Sequence, residues 1–332
     1  MLESMLFLSD AEVQKTMTMA EALELAEKGI RADAAGQVAG DKFYMGLGEG
    51  GFIKPFSGYL AGEDMAFVKT FSYFPGNRAR LGISATSSVV LLFDAQSGLP
   101  VCMMEADWVT ALKTGASTAV TAAWLARPDA HAVTIFGAGS LGRMHLRALA
   151  HRFSLDRAYI IDIMPQMADA YAAELSPEMG FPIEPVLLAG RERAVRASEI
   201  VITVTTGDQP LVERAWLRPG AFVARLGSYQ EIALDVITSA DRVIVDNWYY
   251  VEPRIPELKI LAEQGRFGVE DIHAEWPEIV SGKKPGRESD DQVIVYIALG
   301  IWGEYAAILP EVYRRALARG LGKRLSIPTS VP

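Results

Sequence analysis

Apolar and polar positions divide the chain into two regions with different periodicities. In the first region, helical spacing of apolar residues predicts a helix over Met17–Gln37. The β-like runs that follow are separated by short Gly- and Pro-bearing turns, which are typical of antiparallel hairpins. These runs are Phe43–Leu47, Ile53–Leu60, Met65–Phe74, Ser88–Asp94 and Pro100–Glu105. The pattern predicts an α+β layer, followed by a helix over Asp107–Ala126 that is apolar nearly all round and therefore buried.

After Pro128 short runs rich in Val and Ile alternate with helical segments. This alternation predicts a doubly wound parallel sheet, an α/β arrangement with helices on both faces. The predicted strands are His131–Gly137, Ala158–Asp162, Glu199–Thr206, Ala221–Gly227 and Asp241–Asn247. The predicted helices are Ser140–Arg152, Gln166–Leu175 and Gln292–Arg319. We expect the end of the last helix to pack back on the first layer.

A glycine-rich loop joins the first strand of the second region to its helix. Its three glycines form a G-x-G-x-x-G pattern, which is typical of a Rossmann-type turn that binds the pyrophosphate of a dinucleotide at the helix N-terminus. An acid ends the next strand, where a carboxylate binds the ribose hydroxyls and repels a 2′-phosphate. The loop and the acid together predict NAD(H) rather than NADP(H). The residues expected to contact the cofactor here are Gly137, Gly139, Ser140, Leu141, Gly142 and Asp162.

Two lysines lie at positions where the pattern predicts burial. Strand alternation places Lys69 on a face of large apolar residues, either as an edge lysine that reaches solvent or as a cation for a substrate carboxylate. Lys113 lies within the buried helix and therefore needs an anionic partner. That partner is either a carboxylate of the protein, such as Glu105 or Asp107, or a ligand.

Composition narrows the class of protein. The net charge is −9 and no basic stripe interrupts it, which argues against a nucleic-acid partner. The single cysteine, Cys102, excludes an intrachain disulfide and is expected to be a buried apolar residue. We find no signal-peptide pattern, no apolar run long enough for a membrane span and no metal-binding spacing of histidines. We expect a cytoplasmic protein without a membrane partner or a metal.

Five motifs spread along the chain are together more specific than the glycine loop. They are Phe74-Pro75-Gly76-Asn77, Leu92-Phe93-Asp94-Ala95, Leu112-Lys113-Thr114-Gly115-Ala116-Ser117, Trp216-Leu217-Arg218-Pro219-Gly220 and Gly282-Lys283-Lys284-Pro285-Gly286-Arg287-Glu288-Ser289-Asp290. With them the chain resembles the ornithine cyclodeaminase/mu-crystallin family over nearly its whole length. The resemblance implies a homodimer. It also implies an NAD-binding Rossmann domain at residues 127–305, inserted into a substrate-binding and dimerisation domain at residues 1–126 and 306–332.

The resemblance further implies roles for individual residues. Lys69 matches the family lysine that holds the substrate carboxylate. Lys113 stands where the family usually has Arg, and Lys42 replaces an early substrate-binding Arg, so the three lysines are the expected substrate-binding residues. The further expected cofactor contacts are Ser84, Lys113, Thr205 and Ser228.

The sequence of one loop differs from that of the corresponding loop in the cyclodeaminases. These carry an Asp in a G-x-D-x-P-G pattern, whereas this chain reads Gly227-Ser228-Tyr229-Gln230-Glu231. Cyclodeamination needs a base, and Tyr229 replaces that carboxylate with a phenol. Glu231 could substitute only if the loop bends it inward. Imine reduction needs a held carboxylate and a protonated nitrogen, for which Lys69 and Tyr229 are the candidate catalytic residues.

We therefore expect an NAD-dependent oxidoreductase that reduces an α-imino acid. It would be an imine or ketimine reductase or an amino-acid dehydrogenase, acting on a small α-imino, α-keto or amino acid, and three cations also suit a dicarboxylate. Two alternatives stay open. One is an ornithine-cyclodeaminase-type ammonia lyase that uses bound NAD. The other is a non-catalytic, mu-crystallin-like protein that binds NAD(H) and a small ligand.

Overall fold

A computed structural model describes residues 4–48 and 50–326, which divide into two compact units. The first unit holds Met1–Lys113 and Trp302–Pro332, and the second holds Thr114–Ile301. The division falls inside the long helix rather than after residue 126, and the chain returns at Trp302 rather than at residue 306. The reason is local packing, because Lys113 pairs with Glu304 of the first unit while Gly115 lies against the backbone of Met144 in the second.

The described part of the chain forms strands and helices with the following bounds. In chain order the strands are β1 (Ser4–Leu8), β2 (Val38–Lys42), β3 (Met45–Gly46), β4 (Phe52–Leu60), β5 (Met65–Tyr73), β6 (Thr86–Asp94), β7 (Pro100–Glu105), β8 (Ala132–Phe136), β9 (Arg157–Ile161), β10 (Ile183–Val186), β11 (Ile200–Thr203), β12 (Phe222–Arg225), β13 (Arg242–Val245), β14 (Ala274–Glu275), β15 (Ile294–Ile297) and β16 (Lys323–Ser326). The α-helices are α1 (Asp10–Val13), α2 (Met19–Ala34), α3 (Asn77–Leu81), α4 (Asp107–Leu125), α5 (Ser140–Ala150), α6 (Pro165–Met179), α7 (Arg191–Arg196), α8 (Leu234–Thr238), α9 (Trp248–Val251), α10 (Pro256–Glu263), α11 (Trp276–Val280) and α12 (Gly303–Ala318).

The first unit is built on a sheet with the strand order β16-β1-β7-β6-β5-β4-β2, in which β3 also pairs with β4. The hairpins β4–β5, β5–β6 and β6–β7 are antiparallel, as predicted. Only the β1–β7 pairing in this sheet is parallel among the described strands. The register aligns Lys42 with Phe56 and Phe56 with Lys69 across three strands, so these three side chains share one face.

The strand predicted at Phe43–Leu47 is wrong in its position, since the chain forms β2 before it and only the two-residue β3 within it. The pattern gave little sign of β2, because its centre is Gly40. A Cβ on Gly40 would lie 2.5 Å from the ring of Trp302, so packing against Trp302 favours a residue without a side chain. Packing in the folded protein, rather than the local sequence pattern, therefore determines where this strand forms.

The helices α2 and α12 pack together in the first unit. Thr18 caps α2, and Glu21 completes a capping box. Close approach occurs at Gly29 and Gly303, where a Cβ on either residue would overlap the backbone of the other. The expectation that the last helix packs back on the first layer is confirmed.

The prediction of one continuous helix over Gln292–Arg319 is wrong. The segment begins with β15, which lies between β12 and β13 in the second sheet, and α12 starts at Gly303. A short apolar run such as Val293–Ile297 fits a buried strand as well as a buried helix, so periodicity alone does not separate the two.

The second unit is a parallel sheet with the order β10-β9-β8-β11-β12-β15-β13-β14. This confirms the Rossmann-type, doubly wound fold class. The chain runs outward from β8 through β9 to β10 on one side and through β11 to β12 on the other. The switch point therefore lies between β8 and β11, and sheets of this type bind ligands in the crevice at such a point.

Three further predictions concern composition. Cys102 is fully buried, and burial raises the pKa of its thiol to about 12, which confirms a packed, unreactive residue. Across residues 4–48 and 50–326, no helix has the length and apolarity needed to cross a bilayer. In the same part of the chain no three His, Cys, Asp or Glu side chains group together in a way that could hold a metal ion.

Candidate active site

The glycine loop follows β8 at the switch point of the second sheet. Gly137 has φ +107°, and a Cβ there would lie 2.7 Å from the carbonyl oxygen of Val204. A Cβ on Gly142 would overlap the carbonyl oxygen of Gly137, so helix α5 can approach the strand only with glycine at this position. At Gly139 a Cβ would meet nothing within 4 Å, so the loop leaves open space there.

Helix α5 begins directly after this open space. Ser140 and Leu141 lie in its first turn, and the N-cap residue is Gly139, which has no side chain to accept from the N–H groups of that turn. Backbone N–H groups of a first helical turn are therefore directed to the side where Gly139 leaves room. The arrangement fits a dinucleotide pyrophosphate.

Asp162 lies just beyond the end of β9, beside the loop. Its Oδ2 accepts a hydrogen bond from the N–H of Ala138 at 2.8 Å, and its Oδ1 accepts one from the N–H of Met164 at 2.9 Å. The carboxylate is thus oriented by backbone, half-buried, and retains lone pairs for ribose hydroxyls. This geometry fits the predicted ribose site.

Two exposed apolar residues near Asp162 escaped the sequence analysis. Ile163, which follows Asp162 after β9, is 84% exposed, and Leu187 is 64% exposed directly after β10, the neighbouring strand. Both therefore lie at the carboxyl edge of the sheet, where an adenine ring would need apolar surfaces. For Ile163 the available signal was its place directly after the strand-ending acid Asp162.

The loops after β11 and β12 are held together by Glu231. Its Oε1 accepts from the N–H and the hydroxyl of Thr205 at 2.6 and 2.8 Å, and its Oε2 accepts from the Thr203 hydroxyl at 2.8 Å and the Gly227 N–H at 2.7 Å. The loop therefore does bend Glu231 inward. The four bonds place Thr205 and the exposed Ser228 at the same edge of the sheet as the glycine loop.

A buried ion pair stabilises the loop that follows β12. Arg225 and Glu257 are both fully buried, with a 2.9 Å contact between Nη2 and Oε2. The guanidinium also donates to the carbonyl oxygens of Gly227 and Tyr229, and Glu257 accepts from the N–H of Glu231 at 2.8 Å. Because each ion has hydrogen-bonding partners, this pair fixes the loop that carries Tyr229. Sequence reasoning missed this support, since its members are 32 positions apart.

In the first unit, Lys69 is 1% exposed on β5. Its ammonium lies 5.1 Å from the ring centre of Phe56 and 5.4 Å from that of Phe71, and it donates to the hydroxyl of Ser88 at 3.3 Å. The prediction that Lys69 faces large apolar side chains is confirmed, and the edge-lysine alternative is wrong.

Burial lowers the pKa of Lys69 well below its usual value, because the ammonium loses its hydration. Two further cations, Lys54 and Lys113, lower this pKa by repulsion, and Asp107 partly opposes them. A carboxylate bound beside Lys69 would relieve both effects.

Lys113 pairs with a protein carboxylate. Its Nζ lies 3.2 Å from Oε1 of Glu304 and 4.8 Å from the ring centre of Tyr305, and it is 2% exposed. The prediction that Glu105 or Asp107 pairs with Lys113 is therefore wrong, since the partner, Glu304, lies on α12. Sequence analysis could not foresee a partner so distant along the chain.

Lys54 belongs to the same face and was missed. It is opposite Phe71 on the neighbouring strand, and its ammonium lies 5.4 Å from the ring centre of Phe71. Lys42 lies further along this face, with its ammonium 5.9 Å from the ring centre of Trp302. We call Lys42, Lys54, Lys69 and Lys113 the lysine cluster. The signal for Lys54 was its alternation with Phe56 on β4.

Ser84 lies in the exposed loop after α3. Its hydroxyl accepts a hydrogen bond from the N–H of Thr86 at 3.1 Å. Ser84 and Lys113 belong to the first unit, so their contact with the cofactor remains a prediction.

Comparisons with known proteins agree with this architecture. The model of the ornithine cyclodeaminase/mu-crystallin family matches residues 3–320. The N-((2S)-2-amino-2-carboxyethyl)-L-glutamate dehydrogenase of Staphylococcus aureus is 29% identical over 81% of this chain and 80% of its own length.

Solved structures are also similar to the chain over almost its whole length. The Δ1-pyrroline-2-carboxylate reductase of Thermococcus litoralis, in complex with NADH and L-proline, has a TM-score of 0.92 and 29% identity, covering 97% of this chain and 100% of that one. An archaeal alanine dehydrogenase dimer with bound NAD has a TM-score of 0.90 and 25% identity, covering 98% and 99%. With its family model matched along nearly its entire length, the chain belongs to the ornithine cyclodeaminase/mu-crystallin family.

Proposed function

We propose that this protein is an NAD-dependent oxidoreductase that reduces the C=N bond of a small α-imino acid. The observation that carries the proposal is the state of Glu231. A carboxylate whose two oxygens accept four hydrogen bonds from the fold is fully engaged in holding the two loops together and does not serve as a base. With Tyr229 at the position of the cyclodeaminase Asp, the loop lacks the base that ammonia loss needs, whereas imine reduction does not require it.

NAD(H) is the proposed cofactor, and the second unit would hold it. The glycine loop and the first turn of α5 would bind the pyrophosphate, and Asp162 would bind the ribose hydroxyls. Ile163 and Leu187 would flank the adenine, with Thr205 and Ser228 on the nicotinamide side of the switch point. When bound, NADH supplies the hydride. The Thermococcus litoralis reductase structure contains NADH, and the archaeal alanine dehydrogenase structure contains NAD.

The lysine cluster would hold the substrate in the first unit. Lys69 binds the α-carboxylate and protonates the imine nitrogen, and Lys113 adds positive charge while Glu304 fixes its ammonium. The aromatic rings of Phe56, Phe71 and Tyr305 around Lys69 limit water and strengthen these interactions. Tyr229 is a second candidate for contact with the substrate, through its hydroxyl.

The test follows NADH absorbance with the purified protein, ammonia and a panel of α-keto acids and cyclic imines. We expect NADH loss with at least one acid, and a Lys69→Met variant should lose about 100-fold or more in kcat/KM. Ammonia release from ornithine without net change in NADH would instead support the lyase alternative. Tight NADH binding without any turnover would support the mu-crystallin-like alternative.

The protein is also proposed to form a homodimer through the first unit. Large apolar side chains are exposed around β3 and α3, at the end of the sheet where Phe52 pairs with Tyr73. They are Phe43, Tyr44, Met45, Leu47, Leu81 and Ile83. Clusters of this kind mark protein interfaces. Light scattering should give a dimer mass for the wild-type protein, and a Phe43→Ser/Leu81→Ser double variant should shift it toward the monomer.

A cytoplasmic location is proposed from the single, buried Cys102, which fits a reducing compartment. Fractionation of cells that produce the protein would test it. Recovery in a secreted or envelope fraction would contradict this proposal.

A further inference from the structure

Ser88 connects the buried ammonium of Lys69 to an acid at the protein surface. Lys69 donates to the Ser88 hydroxyl at 3.3 Å, and Ser88 lies beside the carboxylate of Asp107, whose pKa it lowers. Lys69 and Ser88 are 1% and 4% exposed, whereas Asp107, the first residue of α4, is exposed. The three groups follow one another from solvent to the candidate substrate site.

The strand register explains why these groups meet. Ser88 on β6 is opposite Phe71, two positions from Lys69 on the same face of β5. The backbone carbonyl of Ser88 accepts from the N–H of Ala106 at 3.0 Å, which brings the start of α4 to the same place.

We propose that Ser88 and Asp107 form a proton relay that recharges Lys69 after it protonates the imine nitrogen. This inference rests on the proposed function. Lys69 contacts the substrate and is the catalytic residue of the relay, while Ser88 and Asp107 are positioning residues that act through it.

The relay balances in protons. Lys69 breaks one N–H bond as the substrate nitrogen gains one, and it is left as a neutral amine. The Ser88 hydroxyl passes its proton to that amine and takes one from the protonated carboxyl of Asp107, which regains a proton from water. Each turnover therefore consumes one solvent proton, as reduction of an imine by NADH requires.

The charges around Lys69 and around Asp107 favour proton transfer between the two groups. The charged groups that act on Lys69 are Lys54 on β4, Lys113 on α4 and Asp107, and burial with repulsion lowers its pKa, so it releases a proton readily. Partial burial raises the pKa of Asp107, with Glu105 contributing, so it carries a proton more often than an ordinary surface Asp. The two pKa values are shifted toward each other, which favours exchange.

The experiment compares Ser88→Ala with Ser87→Ala, its exposed neighbour on the opposite face of β6. At saturating NADH and imino acid, Ser88→Ala should lower kcat about 10- to 100-fold while KM for the imino acid stays within about twofold. The solvent deuterium isotope effect on kcat should increase, and imidazole should partly restore kcat. Ser88→Thr, which keeps the hydroxyl, and Ser87→Ala should resemble the wild-type protein.

Two results would overturn the relay. One is equal kcat for Ser88→Ala and Ser87→Ala. The other is a loss in Ser88→Ala that lies in KM alone and is insensitive to deuterium oxide and imidazole, which would make Ser88 purely structural. If Ser88→Ala fails to fold, Asp107→Asn at the exposed end tests the same chain by the same readouts. Absence of NADH oxidation by the wild-type protein with every acid would overturn the proposed function itself, whereas the first two results leave that function intact.

Discussion

Replacement of Glu231 by Gln should destabilise the second unit strongly, because each oxygen of this carboxylate serves one backbone N–H and one hydroxyl. Oε1 accepts from the N–H and hydroxyl of Thr205, and Oε2 accepts from the Thr203 hydroxyl and the Gly227 N–H. A Gln amide keeps only one such oxygen. In either orientation its NH2 group therefore faces the N–H of Thr205 or of Gly227, donor against donor.

The magnitude follows from these contacts. Leaving one buried N–H unsatisfied costs roughly 1–3 kcal/mol, and the bonds that persist lose the contribution of the negative charge. We expect the free energy of unfolding to fall by about 3 kcal/mol. NADH binding should weaken about tenfold as well, because the loops that carry Thr205 and Ser228 lose their common anchor.

The assay is urea unfolding followed by circular dichroism, with NADH affinity measured by calorimetry. Thr203→Val is the matched control, since it removes one neutral donor and keeps both the charge and the backbone bonds, so its cost should be about 1 kcal/mol. A Glu231→Gln protein as stable as wild type, with unchanged NADH affinity, would refute the structural role of Glu231. It would also reopen the possibility that Glu231 is a base.

Three other predictions follow from the same contacts. Asp162→Ser should raise the kcat/KM ratio of NADPH to NADH about tenfold or more, since it removes the carboxylate that repels a 2′-phosphate, and an unchanged ratio would place the ribose elsewhere. Lys54→Met should lower the preference for oxaloacetate over pyruvate about tenfold in ammonia-dependent NADH oxidation. The control Lys259→Met, on the exposed face of α10, should leave this preference unchanged. An unchanged preference in Lys54→Met would exclude Lys54 from contact with a second carboxylate. Burial lowers the pKa of His145 to about 4, so its neutral form persists in the folded state while the unfolded chain takes up a proton below about pH 6.5. The free energy of unfolding should therefore drop by roughly 3 kcal/mol between pH 6.5 and pH 4, a drop that His145→Gln should reduce and the exposed His151→Gln should leave in place.

Several features of this protein are determined by the sequence itself. The G-x-G-x-x-G loop with Asp162 predicted the dinucleotide fold, because the sterics of a strand–turn–helix are local and need glycine at fixed positions. Alternation on β5 placed Lys69 on the apolar face, since side chains point to opposite faces with a period of two. Both predictions depend on residues close together in the chain.

Tertiary structure decided the features that join distant segments. Periodicity could not distinguish β15 from a helix, because a short apolar run suits either when both faces are buried. Glu304 reaches Lys113 from α12, and Glu231 closes onto Thr203 and Thr205, contacts that no spacing rule encodes. Ser88 and Asp107 meet Lys69 only because three segments fold onto one face of a sheet. The sequence thus supplies the chemical groups, and long-range packing determines which of them share a proton or a charge.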